Sequence, residues 1–140
     1  MQGLFFEDLT VGQSVETSRL VTADVVEAFA TVSGDTNPVH LDEAYAQATP
    51  FKTRIAHGML SGAYISAAIG TKLPGPGSIY LSQSMRFRRP VKLGDTVLTR
   101  VTITALDAER GHATLATLCE VAGKTVVDGE AVILVPRKGT

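Results

Sequence analysis

Met59-Leu60-Ser61-Gly62-Ala63-Tyr64-Ile65-Ser66-Ala67-Ala68-Ile69-Gly70-Thr71-Lys72 is followed at once by Leu73-Pro74-Gly75-Pro76-Gly77. The first part is apolar or small almost throughout. Its most apolar portion, from Met59 to Ile69, covers only about three helical turns. A membrane-crossing helix needs about 20 apolar residues. The stretch therefore reads as a helix over residues 59–72, completely buried inside a protein, and the proline–glycine string stops it firmly. Beyond that stop the period changes from helical to two. Residues 78–89 read as a strand with Ile79, Leu81, Met85 and Phe87 on one face. Residues 96–106 place Val97, Val101 and Ile103 on one side. Residues 113–121 set Leu115 and Cys119 against Leu118. Gly123 turns the chain into residues 124–135, where Gly129 suggests a bulge. A long buried helix followed by four meandering antiparallel strands is an α+β domain, because a sheet with one apolar face can wrap the helix and bury both.

Upstream, residues 1–12 are mixed and turn-rich, and residues 14–21 form a short first strand. Thr22 is placed as an N-cap with Asp24 in the first turn. Val25, Val26, Phe29 and Val32 then follow helical spacing. Ser33-Gly34 ends that helix, since glycine readily adopts the left-handed conformation at a helix stop. A polar loop over 35–40, a short helix over 41–48 and an irregular segment over 50–56 complete the reading. No repeat, low-complexity tract or second domain interrupts it, so residues 1–140 are expected to form one domain.

Bulk properties narrow the classes. The chain has 140 residues, 44% of them hydrophobic, and a formal net charge of −1. That length and composition suit one core. There is no broad basic field to hold a nucleic-acid backbone. The one cysteine cannot form an internal disulfide. With no basic, apolar leader at Met1-Gln2-Gly3, a reducing cytoplasm is the expected compartment.

The chemistry concentrates in Ser33-Gly34-Asp35-Thr36-Asn37-Pro38-Val39-His40. A carboxylate, an amide and an imidazole fall within eight residues, directly after a helix. Pro38 fixes its own φ and pushes Asn37 toward extended geometry, so the loop is stiff. Taken alone, Asp35 and Asn37 also make ordinary turn residues and His40 an ordinary structural hydrogen-bonder. The segment Ala56-His57-Gly58-Met59 adds weight to the chemical reading. It opens the buried helix, whose N-terminus offers unpaired N–H groups and about half a unit of positive charge. Gly58 lets a ligand oxygen approach its N–H closely, as an oxyanion site requires. An acid–base pair with an oxyanion donor is what proton chemistry beside a carbonyl needs. His57 itself reads as structural, pairing with backbone. Ser61 and Ser66 read as packing residues, with Ser66 also a pocket-wall candidate. Lys52, Arg54, Arg86, Arg88, Arg89 and Lys92 flank the site in sequence and read as solvated surface.

These residues carry a resemblance. Phe29, Val32, Ser33, Gly34, Asp35, Asn37, Pro38, Val39, His40 and Ala46 match each element of the signature of the MaoC-like hydratases, specifically the (R)-specific enoyl-CoA hydratases with the hotdog fold. The similarity continues through His57-Gly58-Met59-Leu60, Pro74-Gly75-Pro76-Gly77-Ser78-Ile79-Tyr80 and Arg89-Pro90-Val91-Lys92-Leu93-Gly94-Asp95. It implies a single hotdog, a curved antiparallel sheet around the central helix, working as a homodimer with active sites near the interface. It implies that Asp35 and His40 are catalytic, that the Gly58 N–H holds a thioester oxygen, and that no metal or redox cofactor is needed. Coenzyme A would enter only as part of an acyl-CoA thioester substrate, with Asn37 orienting the loop or a water. A thioesterase on the same scaffold is disfavoured, because residues 59–72 contain no Asp or Glu. A 3-hydroxyacyl-carrier-protein dehydratase and a non-catalytic acyl-thioester-binding subunit remain alternatives. Apolar residues on both faces of 96–106 and 124–135 point independently to a covered surface, and hence to a dimer. Helical spacing from Gly58 places Gly62, Ser66 and Ile69 on one line. An acyl chain passing over Gly62 and Ser66 would stop at Ile69, which predicts short acyl chains.

Overall fold

The computed structural model describes residues 2–139; Met1 and Thr140, at the two ends of the expected 1–140 domain, lie outside the described residues. A 3-10 turn at Phe6–Asp8 precedes β1 (Ser14–Leu20) and α1 (Ala23–Ser33). Thr22 caps α1 by accepting from the Val25 N–H at 3.2 Å. The helix stops at Gly34, whose φ of 79° turns the chain left-handed while its N–H still reaches the Ala30 carbonyl.

The segment 35–40, expected as a loop, is one only as far as Asn37. Pro38–Leu41 form a single helical turn, α2. Its physical basis is local: proline suits the first helical position, and the Asn37 side chain caps the turn by accepting from Val39 N–H at 3.1 Å. The next helix is shorter than expected. Asp42 breaks the chain and caps α3 (Glu43–Gln47) through Tyr45 N–H.

The central helix α4 spans Gly58–Thr71. Leu60, Ser61, Ile65, Ala68 and Ile69 are buried. Met59, Ala63, Ser66, Ala67 and Gly70 are exposed. The expectation of complete burial is thus corrected, because the sheet of one chain covers only one side of a helix that is apolar all round.

The strands β2 (Ile79–Phe87), β3 (Thr96–Asp107), β4 (His112–Val121) and β5 (Lys124–Leu134) join β1 in one antiparallel sheet of order β1-β3-β4-β5-β2. The sheet curves around α4 in the hotdog arrangement, with α4 lying chiefly across β3. β3, β4 and β5 form a meander, but β2 does not continue it. It pairs with β5 at the far edge, so the chain leaves one edge of the β3–β5 meander and re-enters at the other. Alternation fixes which face a residue takes and leaves the choice of neighbour strand open.

Two further expectations for the strands change. Directly opposed residues share a face, and Leu81 is an extra residue between the Tyr80–Ile133 and Ser82–Val132 pairs. Ile133, Ala131 and Val127 are buried, so Tyr80, Gln83, Met85 and Phe87 take the core-side face while Ile79 lies on the other. The single apolar face expected for Ile79, Leu81, Met85 and Phe87 is therefore split by a bulge. Gly129, in contrast, makes no bulge: it pairs with Met85 and Thr117 without a register break. A Cβ on it would overlap the Ser84 carbonyl oxygen, so the glycine serves close approach of two backbones.

The core joins Ile65 and Ile69 of α4 to Val97, Val101 and Ile103 of β3, with Leu115 and Ile133 beyond them. Each fully buried side chain of this size contributes about 1.5–3 kcal/mol. The outward face of β3 is less apolar than expected: Arg100 lies 3.5 Å from Glu16 and 3.5 Å from Glu120. Exposed apolar side chains lie instead on β2 and the open side of α4, and also at Leu20 and Val32.

Gly129→Ala is expected to destabilise the protein by about 1–3 kcal/mol, as overpacking does, measured from the midpoint of urea unfolding. A change below about 0.5 kcal/mol, ordinary for an unconstrained surface position, would contradict the close β2–β5 approach.

Candidate active site

The end of α1 sets the first part of the site by a chain of short polar contacts. Asp35 N–H donates to Ser33 Oγ at 3.1 Å, Asn37 N–H to Asp35 Oδ1 at 3.2 Å, and Val39 N–H to Asn37 Oδ1 at 3.1 Å. Each step satisfies a backbone donor that no regular element would satisfy. Asp35 is thereby held through one carboxylate oxygen, with the second unused by the loop.

α2 then carries His40 inward, where it is buried. Its Nδ1 lies 2.8 Å from the Ile55 carbonyl. A carbonyl only accepts, so Nδ1 carries the hydrogen and the neutral ring keeps its lone pair on Nε2. The Arg54 guanidinium fixes the other side of the residue, with Nε donating to the His40 carbonyl at 2.7 Å.

His57 completes the cluster. It is buried, stacks on His40 with ring centroids 3.8 Å apart, and packs against Phe29 at 4.9 Å. Its Nε2–H donates to the main-chain oxygen of Asp35 at 2.9 Å. One ligating atom from each of Asp35, His40 and His57 lies within 4.8 Å of the others. A single water making two hydrogen bonds of about 2.8 Å spans such a gap. A metal fits the set less well. His40 Nδ1 and His57 Nε2 already face carbonyls, and the rings are only 25° from parallel.

Gly58 is the first residue of α4, and His57 before it makes no side-chain cap. The helix N-terminus is left open on a cavity of about 410 Å³ lined by Phe51, His57, Gly58, Ser61, Phe87 and Arg88 among others. That size suits a small-molecule site. The Phe87 ring stands over Gly58, 2.8 Å from where a Cβ would be, so a larger residue there would have to displace that ring. Asp35, Asn37 and His40 do not line this cavity; His57 does, and it touches both His40 and the Asp35 main chain. Nor do Gly62, Ser66 or Ile69 line it. Ile69 belongs to the core, Ser66 is exposed, and Met85 Sδ lies 3.1 Å from the position of a Gly62 Cβ. The open path expected over Gly62 is therefore covered by Met85. His57, Phe51 and Phe87 were not singled out for the site by sequence. The AHGM segment was the one available signal for His57, and the aromatic pair carries no local signature. Cys119 is no rival nucleophile: burial pushes its thiol up, partly offset by hydrogen bonds with Thr99 and Ser61.

The model of the family described as MaoC like domain matches residues 7–129, and the chain belongs to that family. The chain is 52% identical to the (R)-specific enoyl-CoA hydratase of Rhodospirillum rubrum, over 96% of its own length and 94% of the relative's. It is 47% identical to the 3-hydroxybutyryl-CoA dehydratase of Methylorubrum extorquens, over 96% and 86%. Among solved structures, the unliganded R-hydratase PhaJ1 from Pseudomonas aeruginosa superimposes with a TM-score of 0.92 at 51% identity, covering 97% of this chain and 88% of that one.

Asn37→Ala removes the cap of α2 and is expected to cost about 1 kcal/mol of stability. Urea unfolding measures it, and an unchanged midpoint would show that Pro38 alone holds the turn.

Proposed function

We propose that the chain catalyses reversible hydration of trans-2-enoyl-CoA thioesters to (R)-3-hydroxyacyl-CoA, with Asp35 and His40 as the acid–base pair and the Gly58 N–H as oxyanion donor. The observation that carries this reading is the proximity of the Asp35 carboxylate to the His40 ring, within reach of one shared water, beside an open helix N-terminus. The (R) outcome is supported by the names of the relatives above.

Hydration needs three services, and the residues supply each. The shared water loses a proton to one member of the pair as its oxygen bonds to C3. The C2=C3 electron pair moves through the carbonyl carbon onto the thioester oxygen, where the Gly58 N–H and the helix dipole meet the developing charge. C2 then takes a proton from the pair on the same face, which makes the addition syn. Positioned acid–base groups contribute roughly 10²–10⁴-fold and an oxyanion donor roughly 10²–10³-fold. Both together reach the lower range of enzymatic enhancements, about 10⁶-fold. Nothing in these steps calls for a metal or redox cofactor. Met85 over Gly62 supports a preference for short acyl chains, in place of the wall first expected at Ile69.

The working unit in this reading is a homodimer. The β2 edge exposes Ile79, Leu81 and Phe87, and α4 turns Met59 outward. A second copy would cover both and shield Asp35, which is exposed in the single chain.

Incubation with crotonyl-CoA is expected to remove enoyl absorbance without releasing thiol, to give the (R) product and to survive chelator. Asp35→Asn and His40→Ala should each lower kcat at least about 10²-fold, with the double variant little worse than the worse single. Near-normal turnover in either single variant, or an (S) product, would end the assignment. Sedimentation at micromolar concentration should give a dimer, and a lone 14.8 kDa species would refute that part.

A further inference from the structure

We infer that His57 is a positioning residue, which locks the acid–base loop to the oxyanion end of α4. The inference rests on the hydratase reading and adds to it a residue that the sequence assigns to structure. Three observations converge on one side chain. Its Nε2–H holds the main-chain oxygen of Asp35 at 2.9 Å, across 22 positions of sequence. Its ring lies flat on the ring of His40 at 3.8 Å. Its own carbonyl carbon is bonded to the nitrogen of Gly58, the first residue of α4. The two halves of the reaction site, proton transfer and charge stabilisation, therefore meet at a single residue.

Packing alone does not account for this choice. His57 Nδ1 is buried with no hydrogen-bond partner. An unpartnered buried nitrogen is destabilising, and such groups in folded proteins call for an explanation. An apolar ring would fill the space between Phe29 and His40 without that penalty. What an apolar ring lacks is the Nε2–H. The bond it makes is to backbone, so it sets where Asp35 starts, while Asn37 N–H sets how the carboxylate is turned. Displacing the loop by about 1 Å changes the reach of Asp35 toward the shared water, an effect separate from any change the lost ring makes in the cavity that His57 also lines. The loss belongs in kcat, since a misplacement of about 1 Å costs about 10²-fold.

The test uses the full chain and crotonyl-CoA, with kcat, KM and thermal unfolding measured for three variants. His57→Ala removes ring and donor, His57→Phe keeps a ring, and His57→Gln keeps a donor of similar reach. His57→Ala should lower kcat about 10²-fold, with any change in KM additional to that loss because the ring also lines the cavity. His57→Gln should recover at least about tenfold of that loss and His57→Phe should not. The Gln–Phe comparison stands even if the alanine variant fails to fold. The inference is overturned if His57→Ala keeps kcat within about threefold, if the loss appears in KM alone, or if Phe restores the rate as well as Gln. A wild type unable to hydrate crotonyl-CoA would instead overturn the functional reading, and this inference with it.

Discussion

The seating of α4 in the concave face of the sheet is the constraint from which the site follows. Ile65 and Ile69 are essentially without solvent contact and pack against β3. Rolling or sliding the helix would expose them, at about 1.5–3 kcal/mol each. The helix axis is thus fixed, and with it the place where Gly58 presents its N–H. Because the sheet grips one side only, the small residues Ala63, Ser66, Ala67 and Gly70 face away from the core. The burial that anchors the N-terminal end of α4 also leaves its other face exposed.

Against that rigid frame, the segment carrying Asp35 and His40 is built by two kinds of bond. Between Ser33 and Val39 the contacts are local, each spanning two residues. They shape the loop without locating it. Location comes from distant partners: Ile55 on His40, Arg54 on the His40 carbonyl, and His57 on Asp35. The first set survives in any fold that ends α1 at Gly34. The second exists only once the chain from 54 to 57 has returned beneath α2.

The same division explains what could be read from the sequence. Thr22, Gly34 and the alternation of β3 and β4 are signals whose cause lies within a few residues, and each element appears where those signals put it. The Asp35–His40 spacing is equally local, so the pair was legible. Strand β2 appears where its alternation puts it, but its place in the sheet and its facing were not legible, because its partner β5 is chosen by long-range packing and its face is switched by one unpaired residue, Leu81. Gly129 could be recognised as special but not as a close-approach glycine, since the Ser84 carbonyl that crowds it lies 45 positions away. His57 pairs with backbone as its sequence reading has it, but which backbone, and its stacking on a ring 17 positions earlier, are long-range facts.

Cys119 has a practical consequence for anyone who wishes to follow this molecule with a probe. The chain holds a single thiol, enclosed between Thr99 and the Ser61 carbonyl, and burial suppresses its thiolate. Thiol-directed reagents act on the thiolate, so the native protein presents them with almost nothing. A cysteine introduced at an exposed position of α1 such as Val32 becomes the reactive one by default. Dyes or spin labels can then report on α1 in a chain whose own sulfur has been left in place.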